Sequence, residues 1–250
     1  GKAYLYHGSP AGLSVTNNWQ KQITQAGADF GNSVSTAGDI NNDGYSDVII
    51  GAPRSNDGQS DEGRANIYLG SSTGLSDLIH VRLEVSSVNA YLGQSVSFAG
   101  DVNGDGYSDV IVGADRFTND QQEEGRAYIY IGSSSGITNS PFWTVESNQA
   151  FAQLGNSVST AGDVNGDGLS DVIVGAKFYE NDFSNEGNVY VYYGHASSMS
   201  TTAAWTKDID QVNAFFGYSV GTAGDVNGDG FADVIIGSIG FASGESNEGK

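Results

Sequence analysis

The chain has 250 residues with 36 glycines, 3 prolines and 38% hydrophobic residues, enough for a sizeable core in one domain. The 30 acidic and 10 basic residues give a formal net charge of −20, which excludes nucleic acid as a partner, and no apolar run is long enough for membrane insertion. The absence of cysteine excludes disulfides, thiolate metal sites and thiol catalysis.

An internal repeat of 62 residues organises the chain. The block GNSVSTAGDINNDGYSDVIIGA recurs so that its first aspartate stands at Asp39, Asp101, Asp163 and Asp225. A second block, EGRANIYLG, recurs with the same period. Residues Glu248 to Lys250 open a last copy of this second block, and residues 1–8 continue it. We therefore expect residues 1–250 to form one array of four repeats, with the two terminal segments completing one unit.

Each repeat is predicted to contain four β-strands and no helix. In one repeat the small-residue segment 95–100, the apolar segment 110–112, the aromatic segment 127–131 and the segment 143–145 fit strands. Four strands per repeat are typical of β-propeller blades. The predicted fold is thus an all-β propeller of four 62-residue blades. It is expected to close on itself, to form half of an eight-bladed ring with a second copy, or to belong to a longer array of repeats.

Each repeat also carries an Asp-rich loop, D-[IV]-N-[NG]-D-G-[YLF]-[SA]-D. Side-chain oxygens at positions 1, 3, 5 and 9, with the backbone carbonyl of position 7, suit Ca²⁺, and glycine at position 6 permits the sharp turn. The predicted ligands, about four Ca²⁺ per chain, are Asp39, Asn41, Asp43, Tyr45 and Asp47; Asp101, Asn103, Asp105, Tyr107 and Asp109; Asp163, Asn165, Asp167, Leu169 and Asp171; Asp225, Asn227, Asp229, Phe231 and Asp233.

Two other interpretations of these loops fit the sequence less well. An EF-hand needs glutamate at position 12, where this chain has Ile50, Val112, Val174 and Ile236. An EF-hand also needs flanking helices, whereas strands are predicted here. Simple Asx-turns would explain one such loop, but they explain four identical loops poorly. Calcium is the preferred interpretation.

Two further signatures flank the loops. An FG element occurs as Phe30-Gly31, Leu92-Gly93, Leu154-Gly155 and Phe216-Gly217. A GAP element occurs as Gly51-Ala52-Pro53, with Gly113-Ala114-Asp115, Gly175-Ala176-Lys177 and Gly237-Ser238-Ile239 in the other repeats. With the loops between them, these elements resemble the FG-GAP repeats of integrin α-subunit β-propellers. The resemblance implies one Ca²⁺ per blade, in the hairpin between the first and second strands, on the face opposite the usual ligand face.

Signals for enzymatic chemistry are weak. Residues 217–221 match the nucleophile pattern G-x-S-x-G, but they lead into a strand and an Asp-rich loop where that motif needs a helix. The histidines His7, His80 and His195 have no metal-ligand partner at a short spacing. We expect no catalytic residues and no enzymatic activity.

Ligand binding is expected where the repeats differ, in the loops 53–61, 115–123, 177–185 and 238–247. The candidate residues there are Arg54, Arg116, Phe117, Lys177, Phe178, Tyr179 and Phe241. Basic and aromatic neighbours can hold a sugar ring or a carboxylate of a partner. The alternative is that these aromatic rings close the blade ends while the cations neutralise nearby acids.

The sequence therefore predicts a calcium-binding module for adhesion or recognition, or a scaffold, outside the cell or at its surface. Its expected partners are a protein or glycan ligand and a second copy of the chain, in a head-to-tail homodimer. Two alternatives remain: a purely structural ring, natural or engineered, and an accessory domain of a secreted hydrolase.

Overall fold

The computed structural model describes residues 1–243 and 249, so Glu248, Lys250 and residues 244–247 of the last variable loop lie outside the described residues. The described chain is all β, as predicted. Its strands are β1 (Lys2–Leu5), β2 (Gly8–Ser9), β3 (Gly12–Leu13), β4 (Trp19–Gln22), β5 (Val34–Gly38), β6 (Asp47–Ala52), β7 (Arg64–Tyr68), β8 (Val81–Glu84), β9 (Leu92–Gly100), β10 (Asp109–Ala114), β11 (Arg126–Tyr130), β12 (Trp143–Glu146), β13 (Leu154–Gly162), β14 (Asp171–Ala176), β15 (Asn188–Tyr192), β16 (Trp205–Asp208), β17 (Phe216–Gly224) and β18 (Asp233–Ser238).

Three antiparallel sheets of four strands form the body of the structure. Sheet 1 contains β5 to β8, sheet 2 contains β9 to β12 and sheet 3 contains β13 to β16, each with its strands in chain order. The four strands predicted for the second repeat are confirmed as β9 to β12, and their ends differ from the prediction by no more than about three residues. The small hairpin of β2 and β3 was not predicted.

The sheets follow one another face to face. The first strands β5, β9, β13 and β17 are successive neighbours, and each of the last three also packs on the second strand of the preceding sheet. One core cluster joins sheets 1 and 2, and another joins sheets 2 and 3. The second strand of each sheet is apolar because it is buried on both faces: its central isoleucines Ile49, Ile111 and Ile173 are 0% exposed.

Glycines of the FG and GAP elements allow the close approach of neighbouring sheets. A Cβ placed on Gly113 of β10 would collide with the carbonyl oxygen of Gly155, the FG glycine of sheet 3. Gly155 itself has a φ of 86°, in the left-handed region that glycine adopts freely. Ser95 Oγ donates a 2.7 Å hydrogen bond to the same carbonyl oxygen. Both signatures are therefore steric requirements of sheet packing.

The two ends of the array each consist of a strand pair. β1 pairs with β4, β17 pairs with β18, and within the described residues the two pairs do not join. Ile235 of β18 is 64% exposed, although its equivalents in sheets 1 to 3 are fully buried. Val34 of β5 is 59% exposed, whereas its equivalents Val96 and Val158 are 6% and 7% exposed. Completion of a unit by the terminal segments, and closure of the ring, stay predictions.

Candidate metal centres and the variable-loop end

The four Asp-rich loops connect the first to the second strand of each repeat. Loop 1 (39–47) lies between β5 and β6, loop 2 (101–109) between β9 and β10, loop 3 (163–171) between β13 and β14, and loop 4 (225–233) between β17 and β18. All of the metal ligands predicted from the sequence therefore lie in four equivalent strand connections. None of these loops is flanked by helices, which agrees with the rejection of an EF-hand.

Backbone hydrogen bonds join each loop to the next one. Ser108 N of loop 2 donates to the carbonyl oxygen of Asp39 in loop 1 at 3.1 Å, and Ser170 N of loop 3 donates to that of Asp101 in loop 2 at 2.9 Å. Loops 3 and 4 are joined in the same way. The four loops consequently form one continuous row along one side of the array, where the first and second strands of each repeat are connected. We call this side the Asp-loop end of the sheets.

The first, third and fifth positions of each loop are drawn together by local hydrogen bonds. In loop 2, Asp101 Oδ1 accepts from Asp105 N at 3.1 Å, and Asn103 Oδ1 accepts from the same nitrogen at 3.0 Å. Asp105 Oδ1 in turn accepts from Tyr107 N at 3.0 Å. The other loops repeat this pattern. These are the Asx-turns of the alternative interpretation, and they leave further oxygen lone pairs for a cation.

The ninth position of loops 1 to 3 is a structural anchor. Asp109 is 0% exposed, and its two carboxylate oxygens accept hydrogen bonds from Gly132 N at 2.9 Å and Val102 N at 2.8 Å. Burial raises the pKa of Asp109 to about 7, and the other loop carboxylates add to the effect. Burial likewise raises the pKa of Asp171 to about 6 and raises that of Asp47. Each of these loops thus holds an acidic group whose charge the protein alone does not compensate.

The donor chemistry of the loops fits Ca²⁺. Each set consists of carboxylate, amide and backbone carbonyl oxygens, which hard cations prefer. Glycine at the sixth position has a φ of 87° to 94° in all four loops, a conformation that other residues rarely adopt. A bound divalent cation would offset the mutual repulsion of three carboxylates in one short loop.

The variable loops connect the second to the third strand of each repeat and lie at the opposite ends of the strands. We call this side the variable-loop end, and some candidate ligand residues are buried there. Phe117 is 9% exposed, with the Arg126 guanidinium 3.8 Å from its ring centre and Tyr128 edge-on to it. Tyr179 packs edge-on to Tyr190, with ring centres 6.2 Å apart. These two aromatic rings close the ends of sheets 2 and 3, which is the alternative role that the sequence left open.

Two of the candidate arginines share one aromatic ring. The guanidinium carbons of Arg54 and Arg116 lie 5.6 and 4.8 Å from the ring centre of Tyr91. Arg54 is exposed and lies 3.5 Å from Asp29. Sequence reasoning missed Tyr91, although it lies beside the FG element and the two arginines recur one repeat apart. This surface has two cations over one ring, which can attract an anionic partner.

Of the remaining candidates Lys177, Phe178 and Phe241, only Phe178 lines a shallow cavity in the described structure. Lys177 lies 3.6 Å from the buried Asp115, and its ammonium is 5.2 Å from the Phe178 ring centre. Phe178 lines a cavity of about 340 Å³ together with Phe151, which is 51% exposed. Phe241 is half-buried, and its carbonyl oxygen accepts a hydrogen bond from Gly249 N. The sequence did not single out Phe151, because it lies between β12 and β13, outside the four variable loops in which ligand binding was expected.

Comparison with known proteins agrees with this architecture. The FG-GAP repeat model matches residues 30–68, 92–130, 154–192 and 216–249, which together make up more than half of the chain. The four matches start at the FG elements and end in the second block of each repeat.

Several curated relatives are integrin alpha chains. Integrin alpha pat-2 of Caenorhabditis elegans is 28% identical over 94% of this chain, and integrin alpha-5 of Xenopus laevis is 30% identical over 84%. Integrin alpha-V of Gallus gallus is 31% identical over 81%. The chain spans only about a fifth of the length of these relatives. In the described part of the chain, no helix is both long and apolar enough to cross a membrane. The chain belongs to the FG-GAP repeat family and is distantly homologous to integrin alpha subunits over most of its length.

Proposed function

We propose that this chain is a calcium-binding, integrin alpha-like recognition module that acts outside the cell or at its surface and carries no enzymatic activity. The observation that supports calcium binding is the repetition of one oxygen-only loop at four equivalent strand connections. The buried carboxylate of Asp109, whose charge costs free energy in the absence of a cation, supports it further. Extracellular calcium is abundant enough to fill loops of this type.

Terbium luminescence tests the calcium proposal. Tb³⁺ prefers the same oxygen ligands as Ca²⁺ and emits when a nearby tyrosine is excited, and Tyr45 and Tyr107 occupy the seventh position of two loops. We expect tyrosine-sensitised emission that Ca²⁺ displaces and that Asp105→Asn weakens. Tyr107→Leu, which copies Leu169 of loop 3, is the matched control because the seventh position contributes only its backbone carbonyl. This variant should lose part of the sensitised emission and keep the calcium affinity. Emission unaffected by Ca²⁺ would contradict the proposal.

We assign ligand recognition to the variable-loop end. The exposed Arg54, the ring of Tyr91 and the cavity beside Phe151 form its accessible apolar and cationic surface. Such a surface suits an acidic protein segment or a glycan, because cations bind carboxylates and aromatic rings stack on sugars. Binding to a panel of immobilised matrix proteins and glycans should fall in Phe151→Ser and Arg54→Ala. If no panel member binds the wild type, the alternative of a purely structural ring is favoured. A catalytic domain encoded beside this one in the same gene would favour the alternative of an accessory domain of a hydrolase.

Exposed apolar faces at the two ends of the array support a head-to-tail homodimer. Ile235 at one end and Val34 at the other occupy positions that the middle sheets bury. Beside Val34 lies a groove of about 550 Å³ lined by Tyr4, Trp19 and Ile50, between the pair β1–β4 and sheet 1. The strands β17 and β18 correspond to the first and second strands of a repeat, which the pair β1–β4 lacks, and they carry apolar residues. In the filled groove β18 would pair with β1, as β6 pairs with β7 in sheet 1. We propose that β17–β18 of a second copy fills it.

Sedimentation analysis tests this dimer. The wild type should sediment as two chains, and Ile235→Asp should sediment as one, because a carboxylate cannot be buried in an apolar interface at low cost. Val88→Asp is the control, since Val88 is 50% exposed in the described structure and lies in the connection between β8 and β9, outside both terminal strand pairs. A monomeric wild type would overturn the dimer and leave the calcium proposal untouched.

A further inference from the structure

A carboxylate cluster lies at the variable-loop end of sheet 3, away from the Asp-rich loops. It contains Glu186 before β15, Asp208 at the end of β16 and Asp210 just beyond it. One carboxylate oxygen from each of the three residues lies within 4.8 Å of the other two. Three negative charges this close repel one another strongly unless a cation or protons compensate them.

In sheets 1 and 2 an arginine side chain compensates the carboxylate charges at the equivalent position. Arg64 in sheet 1 and Arg126 in sheet 2 hold the β-ladder position directly opposite Glu84 and Glu146. Arg64 is ion-paired at 3.2 Å with Asp57, and Arg126 is ion-paired with Glu146. The terminal pair β1–β4 has Lys2 in this position. A positive side chain at the start of the third strand is therefore the rule in this array.

Sheet 3 differs from sheets 1 and 2 at two of these positions. Its ladder position opposite Asp208 is held by the neutral Asn188, whose Oδ1 accepts hydrogen bonds from Val189 N at 2.7 Å and Thr206 Oγ1 at 2.8 Å. The position of Asp210 is a serine in sheet 1 and an asparagine in sheet 2. Sheet 3 has thus lost a cation and gained a carboxylate at one place. The described cation beside this cluster is Lys207, 3.9 Å from Asp208 Oδ1, and its 60% exposed side chain gives only a weak pair.

An unpartnered buried oxygen points to a missing cation. Glu186 is 0% exposed, and its Oε1 accepts backbone hydrogen bonds from Asn181 and Asp182. Its Oε2 is buried and accepts no hydrogen bond in the described structure, which is costly for a carboxylate. In sheet 2 the equivalent Glu124 also has a buried free oxygen, but Arg126 supplies a cation to that cluster.

We propose that Glu186, Asp208 and Asp210 bind a divalent cation that takes the place of the missing arginine. The ligands are all carboxylate oxygens, so the site suits a hard cation such as Ca²⁺. Oxygens on opposite sides of a Ca²⁺ ion lie about 4.8 Å apart, at a Ca–O distance of about 2.4 Å. Three carboxylate oxygens that lie within 4.8 Å of one another are therefore close enough to bind the same ion. The exposed Asp210 gives the ion a path from solvent. This fifth site does not rest on the proposed function of the four loops.

Native mass spectrometry in CaCl₂ tests the fifth site through the number of ions per chain. Asn188→Arg restores the arginine of sheets 1 and 2 and should lower that number by one. Asp210→Asn copies sheet 2 at an exposed position, so it should fold, and it should also lose one ion. Asn148→Asp is the matched control: it adds the third carboxylate to sheet 2, where Arg126 is present, and should bind no extra ion.

The outcomes separate this inference from the loop sites. If folded Asn188→Arg and Asp210→Asn, checked by circular dichroism, bind as many ions as the wild type, the fifth site does not exist. If instead the wild type binds a single ion that Asn188→Arg abolishes, the fifth site stands and the calcium proposal for the loops falls. Retention of four ions per chain by both variants, against five in the wild type, supports the four loop sites and the fifth site together.

Discussion

Replacing Gly113 by alanine tests the steric account of the FG and GAP elements. The strand backbone at Gly113 accepts alanine, so the cost arises only from what the new methyl group meets. That group would collide with the carbonyl oxygen of Gly155 and approach Ser95 Oγ to 2.5 Å. Sheets 2 and 3 must then separate, at an overpacking cost of about 1–3 kcal/mol. Loss of the 2.7 Å hydrogen bond from Ser95 to Gly155 adds about 1 kcal/mol.

We therefore expect Gly113→Ala to lower the free energy of unfolding by about 2–4 kcal/mol, measured by urea denaturation. Gly221→Ala is the matched control. Gly221 also lies in a strand, but a Cβ there meets only Ile235 Cγ2 at 3.9 Å, and the equivalent residues of the other repeats are serines. This control should change the free energy of unfolding by less than about 0.5 kcal/mol. Equal, small effects of the two substitutions would refute the close-approach argument.

Three further predictions concern the loops and the variable-loop end. Asp105→Asn should lower the free energy of unfolding by about 2–3 kcal/mol in saturating calcium and by much less in EDTA, by thermal denaturation; equal losses in both buffers would assign Asp105 a purely structural role. Phe117→Ala should cost about 3 kcal/mol in urea denaturation because the ring is buried under Arg126, and a cost below about 1 kcal/mol would contradict that packing. Burial and a hydrogen bond to Asp57 raise the pKa of Glu84 to about 7, above its unfolded value. The contribution of protonated Glu84 to the free energy of unfolding is therefore full at acidic pH and is lost as pH rises through about 7. Glu84→Gln should consequently stabilise the fold on the order of 1 kcal/mol at pH 8 and leave it unchanged at pH 4, whereas equal stability at pH 8 would contradict the raised pKa.

The repeat made most of the fold predictable from sequence. A 62-residue period with strand-like segments predicts repeated four-stranded sheets, and the described structure contains three of them. The chain order of β9 to β12 follows from short connections between antiparallel strands. The Asp-rich loops were placed correctly between the first and second strands because their residues are local in sequence. The ninth-position aspartate shows the limit of this reasoning. Its carboxylate accepts a hydrogen bond from a glycine just beyond the third strand, as Asp109 does from Gly132 N, and this bond joins segments that only the folded sheet brings together.

Side-chain direction in the variable loops could not be predicted. Phe178 and Tyr179 are adjacent aromatic residues with different environments. Tyr179 packs on Tyr190, as Phe117 packs on Tyr128 one repeat earlier, while Phe178 lines an open cavity. The cluster around Glu186 was missed because its members come from one strand, β16, and from the segments before β15 and after β16, which only the folded sheet brings together. Comparing repeats position by position at Asn188 is the sequence signal that could have found it.

Crystallography in calcium, with anomalous scattering measured, tests the central claim most directly. We expect a calcium peak in each of the four Asp-rich loops, ligated at about 2.3–2.6 Å by the first, third, fifth and ninth side chains and the seventh carbonyl. Loops closed by Asx-turn hydrogen bonds alone, with no anomalous peak in saturating calcium, would contradict the account and leave the repeated aspartates as turn residues.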